Sequence, residues 1–326
     1  MPRRNTIGLL CAAAALMLLG GPRSACAEDY PSRPIHLIVT SPAGSLVDVL
    51  GRLYAGEMSA RLGQPIVVDN RSGAMTQVGT DVLTHADADG YTLMIGPNEL
   101  TMLPFLKKDY RYDPTRDITP VALITRSWTV FAIYPGLPPQ TLPEFIAYAK
   151  ANPGKLHYGS GGVGGALHIA VEMLRLKTGI DLIHVPYRGG EQAATDAMAG
   201  QIEMVSLGLA SARIAEGGKL RILAQTGPSR HPLFPEVPTT AEYGLPEVRM
   251  DTWFGLVAPP NTPAAIVARL DRATADVEQE QSFRDSLAKI GCAPAYLRHA
   301  EFAAFIAGDL RKWQQLIPTM GIPLIE

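Results

Sequence analysis

Leu156-His157-Tyr158-Gly159-Ser160-Gly161-Gly162-Val163-Gly164-Gly165-Ala166-Leu167-His168 is the stretch from which the rest of the chain is read. A short apolar run enters it, and an amphipathic pattern from Leu167 to Lys177 leaves it. Strand, glycine turn and helix in that order let backbone N–H groups point at one spot, with the positive end of a helix dipole behind them. Such a spot holds a negatively charged group. Pro42-Ala43-Gly44-Ser45 repeats the arrangement, and Ser72-Gly73-Ala74 does so more loosely. Several such turns point to one small anion gripped from more than one side. Gly159-x-Gly161-x-x-Gly164 also spells the dinucleotide fingerprint, but the acidic residue of that motif should end the following strand. Asp181 instead precedes Leu182-Ile183-His184-Val185. Nor is Ser160 in a nucleophile elbow, because Tyr158 stands where that motif needs glycine.

Working outward, strands and helices alternate. Ile35 to Val39, Ile66 to Val68 and Tyr91 to Ile95 read as strands, with helices over Asp48 to Leu62 and Thr76 to His85 between them. Short connections then imply a parallel sheet with right-handed crossovers. After Asp117 the pattern restarts. Pro120 to Thr125, Thr129 to Tyr134, Leu182 to Val185, Glu203 to Leu207, Leu220 to Ala224 and Trp253 to Ala258 are strand candidates. Helices are expected over Leu142 to Ala151, around Gln192 to Ala199, and over Pro263 to Gln279 and Ala300 to Gln315. Two α/β lobes explain this length better than one large sheet. Ligands bind beyond the carboxyl ends of parallel strands, so two facing lobes would form an interdomain cleft.

The N-terminus reads as an export signal. Arg3 and Arg4 precede an apolar region, Ile7 to Leu19, and Ala25-Cys26-Ala27 is an A-x-A site with cleavage expected after Ala27. Ordinary secretion ranks above a twin-arginine signal or a lipoprotein. Cys11 and Cys26 leave with the signal, so Cys292 has no intramolecular partner and reads as a small buried residue. Hydrophobic residues make up 47% and charged residues 18% of the 326, as in an ordinary globular protein with a sizeable core. Removing Arg3, Arg4 and Arg23 takes the net charge from −2 to −5, unlike a basic nucleic-acid surface.

Several words fall in a fixed order: Tyr30-Pro31-Ser32-x-Pro34-Ile35, Pro42-Ala43-Gly44-x-x-x-Asp48, Asn70-Arg71-x-Gly73-Ala74 and Asp89-Gly90-Tyr91-Thr92-Leu93. Tyr112-Asp113-Pro114, Ala151-Asn152-Pro153-Gly154-Lys155-Leu156, Val185-Pro186-Tyr187-Arg188-Gly189 and Trp253-Phe254-Gly255-Leu256-x-Ala258-Pro259 follow. Over essentially the whole mature chain this resembles the solute-binding proteins of the tripartite tricarboxylate transporter system, the TctC or Bug type. The resemblance implies an α/β fold of the two-lobe periplasmic binding protein kind (type II, Venus-flytrap). It also implies a periplasmic location, a monomer and delivery of a small organic carboxylate to a cognate membrane permease. It divides the chain into a signal peptide (1–27), a discontinuous first lobe (28–128 plus 251–326) and a second lobe (129–250). In this family the loop after the first strand and the glycine–serine loop of the other lobe hold the carboxylate, often through water. Here the first loop reads Thr40-Ser41-Pro42-Ala43-Gly44-Ser45 where the family usually shows Pro-Phe-Pro-Ala-Gly-Gly, and Gly165-Ala166 replaces hydroxyl side chains.

The candidate ligand-binding residues are Ala43, Gly44, Ser45, Asp48, Asn98, Ser160, Gly164, Gly165, Ala166, His168, Tyr187 and Ser206. Asp48 either complements the helix dipole or meets the ligand through water or an amine. Ser160 either donates its hydroxyl to the ligand or caps the turn. A lone histidine such as His168 is more often structural. Arg188 reads as a surface residue that is also placed to pair with a carboxylate. A receptor leaves its ligand intact, and no triad order, paired carboxylates or metal spacing stands out. No catalytic residue, metal, cofactor or nucleic-acid partner is therefore expected. The competing readings are a secreted hydrolase using Ser160 with His168, and a sensory binding protein.

Overall fold

The structure, a computed structural model, describes residues 30–325. The expected signal segment and its cleavage site lie outside the described residues. Strand β1 (Ile35–Val39) lies between β2 (Ile66–Asn70) and β3 (Thr92–Pro97) and is parallel to both. Helices α1 (Leu46–Leu62) and α2 (Gln77–Thr84) make the crossovers. A second parallel set, β5 (Leu156–Ser160), β6 (Leu182–Pro186) and β7 (Met204–Gly208), is linked by α5 (Ala166–Thr178) and α6 (Gly190–Met198), after α4 (Leu142–Ala151).

The two sets meet on one long strand. Thr119 to Ile133 forms a single 15-residue strand, β4, where two strands were expected. The polar stretch at Thr125, Ser127 and Thr129 resembles a break in the sequence. In the fold each hydroxyl finds a partner: Thr125 Oγ1 donates to Ala293 O (2.6 Å), Ser127 Oγ to Gly291 O (2.7 Å), and Thr129 Oγ1 lies 3.1 Å from Thr226 Oγ1. Residues 119–128 pair with β9 (Asp251–Ala258), and residues 129–133 pair with β7 and with β8 (Arg221–Gln225). These pairings, and that of β3 with β9, are antiparallel, so the sheet as a whole is mixed, while β1, β2 and β3 are parallel as expected.

Three elements escaped the sequence reading. Helix α3 (Glu99–Leu106) carries Pro104 inside it, which reads as a breaker. Helix α8 (Gln281–Lys289) follows α7 (Ala264–Gln279) almost without a gap, and β10 (Ala293–Leu297) contains Pro294, which an edge strand tolerates.

Each half of the sheet is covered on both faces. In the first, α1 and α7 cover one face, over Leu37, Tyr54 and Leu270; α9 (His299–Leu316) lies on the other, over Trp253, Phe302 and Ile306. In the second, Phe131, Tyr158 and Met173 form one core and Val130, Ala193 and Leu207 the other. Met102 and Leu106 of α3, with Trp313 of α9 and Ile317 beyond it, pack into the Tyr158 core. Cys292 is buried and free.

Candidate functional site

Strand register decides which ends meet. Pro97 lies beside Phe254, and Phe254 beside Thr125, so β3, with β1 parallel to it, runs its carboxyl end toward the middle of β4. Met204 lies beside Ile133 and Gly208 beside Thr129, so β7, with β5 parallel to it, approaches the same point from the other side. The carboxyl ends of both parallel sets therefore face each other across residues 125–129 of β4. Ligands of open α/β sheets bind beyond such ends.

At the end of β1, Ala43 and Gly44 are exposed, and Ser45 caps α1 by accepting the Asp48 N–H at 3.3 Å. Asp48 is buried and fully engaged. Its carboxylate accepts Gly44 N–H (2.8 Å), Arg52 Nε (3.1 Å) and Asn70 Nδ2 (2.9 Å). Asn70 also donates to Ser41 O (3.0 Å). Asp48 thus ties the first loop to the end of β2. The Arg52 guanidinium, aided by the Gly44 N–H and Asn70, holds its carboxyl down to about 2. Asn70 and Arg52 were missed as parts of this site, because sequence spacing does not show which strand end the acid reaches.

The second glycine turn differs. Helix α5 starts on Gly165 with no side-chain cap and no acid in its first turn. Gly164 N–H donates to His168 Nδ1 (3.0 Å), so the proton of that neutral ring sits on Nε2. The N–H groups of Ala166 and Leu167 have no hydrogen-bond partner among the described residues. Of the two helix ends, α5 is the one whose positive pole is uncompensated. A Cβ built on Gly164 would come within 2.5 Å of Ile325 and 3.5 Å of Leu106, so this turn touches α3 and the C-terminal segment.

Ser160 is fully buried, with Oγ 2.7 Å from His184 Nε2. The histidine it meets is not His168, the one weighed for a serine–histidine pair. His184 comes from the neighbouring strand, where Tyr158 and His184 are register partners. His168 stacks on His184 at 4.1 Å between centroids, and His184 on Tyr158 at 4.7 Å. Tyr158 donates to Glu172, which Arg175 grips through both oxygens (2.8 and 2.9 Å). Burial, with His184 and Arg175 nearby, pushes His168 down to about 3, and burial also lowers His184. Both rings are neutral at pH 7. No carboxylate hydrogen-bonds His184 among the described residues, so the pair lacks the orienting third member of a triad.

Asn98 and Ser206 are also fully buried. Asn98 Nδ2 donates to Met102 Sδ (2.8 Å), and its Oδ1 has no partner; Ser206 Oγ has none either. Thr40 Oγ1 and Thr76 Oγ1, which sequence reasoning passed over, share that condition at the ends of the β1 and β2 connections. Buried polar atoms are normally paired with protein, water or ligand. Met102, Phe131 and Tyr158 share one core, and Ser206 faces Phe131, so Asn98, Ser160, His168 and Ser206 gather on one face. Tyr187 does not join them. It packs with the Val205 core and donates to Asp196 (2.8 Å) on the opposite face. Arg188 is exposed. No cluster of His, Cys, Asp or Glu able to hold a metal occurs among the described residues.

Comparison with known proteins places this geometry in a family. Residues 50–322 match the family model described as "Tripartite tricarboxylate transporter family receptor". A solved structure described as a periplasmic transporter is 36% identical, with a TM-score of 0.80, covering 91% of this chain and 100% of that one. Rpa4515 of R. palustris with adipate is 31% identical (TM-score 0.80; 90% and 99% covered). MatC of Rhodopseudomonas palustris with bound malate is 28% identical (TM-score 0.74; 89% and 100% covered). The chain belongs to the tripartite tricarboxylate transporter receptor (TctC) family of extracytoplasmic solute-binding proteins, and it has their two-lobe fold.

Proposed function

We propose that this protein captures a small organic carboxylate between its lobes and presents it, unchanged, to the membrane permease of a tripartite transporter. One observation carries the reading: the carboxyl ends of the two parallel strand sets face each other across the middle of β4. The uncapped start of α5 supplies N–H groups and a positive pole for the carboxylate. The buried Asn98 Oδ1, Ser206 Oγ and Thr40 Oγ1 stand ready for the ligand's polar groups or for water. In this reading Ala43, Gly44, Ser45, Gly165, Ala166, Ser160 and Asn98 face the ligand. Asp48, Gly164 and His168 hold the loops in place, and Tyr187 supports the second lobe. The adipate and malate bound by the two relatives make aliphatic dicarboxylates the first class to try.

A thermal-shift screen tests this against mono-, di- and tricarboxylates, aromatic acids and amino acids. Ligand at 100 times its Kd adds about 2.7 kcal/mol of stability, so at least one acid should raise the Tm by several degrees. If no acid moves the Tm and an ester or amide is turned over instead, the receptor reading is wrong.

A further inference from the structure

A cavity of about 390 Å³ lies on the flank of α9, lined by Arg126, Asp251, Trp253, Phe305, Asp309 and Lys312. Its lining shares no residue with the Asn98, Ser160, His168 and Ser206 group. Phe305, Gly308 and Lys312 share one flank of α9, whereas Ala307, Leu310 and Gln314 face α3 on the opposite flank. The cavity also sits where the chain passes between lobes, for Arg126 pairs with Trp253 and Trp128 with Asp251 across β4 and β9.

Its charges are unbalanced. Arg249, which also lines the cavity, pairs with Asp251 at 2.8 Å. Asp309 spends Oδ2 on Thr101 Oγ1 (2.6 Å) and Trp253 Nε1 (2.9 Å). Arg126 has no ion-pair partner among the described residues. Its guanidinium stacks 4.7 Å over Phe305, and its Nε is buried without a hydrogen bond. Lys312 likewise has no ion-pair partner among those residues, and its Nζ sits 4.3 Å over the Trp313 ring. A cation withdrawn from water needs an anion close by. Arg126, Arg249 and Lys312 set against Asp251 and Asp309 leave one positive charge over, which a bound monoanion would balance. The aromatic walls favour one with an apolar body.

We propose that this cavity is a second binding site, for a small organic monocarboxylate. Its carboxylate would lie between Arg126 and Lys312, and its carbon skeleton against Phe305 and Trp253. An occupant would touch β4, β9 and α9, so its binding and that of the inter-lobe ligand would affect each other by the same factor. The inference does not depend on the inter-lobe reading.

Sodium benzoate is the probe, and the indole N–H signals of Trp253 and Trp313 in a ¹H–¹⁵N spectrum are the readout. The chain's only other tryptophan is Trp128. Benzoate should shift both signals saturably. The midpoint should rise more than tenfold in Arg126→Gln and in Lys312→Gln, and stay within twofold in Gly44→Ala. Thermal unfolding verifies that each variant is folded. Signals that do not move, or that move with the wild-type midpoint in Arg126→Gln and Lys312→Gln, overturn the proposal. So does inorganic phosphate giving a tighter midpoint than benzoate. Loss of inter-lobe acid binding in Gly44→Ala with no effect of Arg126→Gln would leave the receptor reading standing and remove this one alone.

Discussion

Gly44 has a φ of +82°, and a Cβ built on it meets nothing within 4 Å. Its glycine is required by backbone conformation, not by space. Gly44→Ala should cost roughly 1–2 kcal/mol of local strain and turn the loop away from Asp48. Carboxylate affinity measured by calorimetry should then fall at least fivefold, and an unchanged Kd would take this loop out of the site. His168 yields a pH prediction. Unfolded, it takes up a proton near pH 6.5; folded, it stays neutral to about pH 3. Between those values the unfolded chain holds the extra proton, so this residue makes stability fall as pH drops from 6.5 toward 3. The slope approaches about 1.4 kcal/mol per pH unit. Glu278, which burial raises to about 8, works the opposite way between its ordinary value and 8, so the comparison must be made with a variant. His168→Asn, which keeps an acceptor for Gly164 N–H, should lose less stability than wild type between pH 7 and 5 in urea titrations. Parallel curves would show that His168 does not stay neutral. Little of this was legible beforehand. The positive φ at Gly44 could be guessed from a glycine turn, but the Ser160–His184 contact joins residues 24 apart on neighbouring strands.

At the scale of elements, β9 and α9 approach unusually closely. A Cβ on Gly255 would lie 2.3 Å from Phe302 Cζ and 3.0 Å from Ala122 O. The Trp-Phe-Gly word in the sequence is therefore a packing requirement. Gly255→Ala should force Phe302 out of its rotamer and cost about 1–3 kcal/mol, read as a lower urea midpoint with an unchanged slope. Wild-type stability would mean that Phe302 moves freely. Periodicity located most strands and helices to within a residue or two, because their apolar faces repeat at 2 or 3.6 residues. It failed where tertiary partners override local signals. The hydroxyls of Thr125 and Ser127 hide the continuity of β4, and Pro104 hides α3.

For the whole molecule, β4 runs through both halves of the sheet, and Trp313 and Ile317 carry the C-terminal region into the second lobe's core. A ligand that touches both lobes stabilises their approach. Small-angle scattering should therefore show a smaller radius of gyration with a saturating dicarboxylate. An unchanged radius would mean that the lobes do not move on binding. The sequence by itself determined the α/β class, the two-lobe plan, the family and the glycine turns that end β1 and β5, because each is written in local spacing or in words that keep their order. Only the tertiary structure decided how those turns differ. Both look like anion cradles in the sequence, yet Asp48 and Arg52 close the first around itself, whereas α5 begins bare. That difference comes from side chains reaching across strands, and such reach depends on register and burial, which no run of neighbouring residues records.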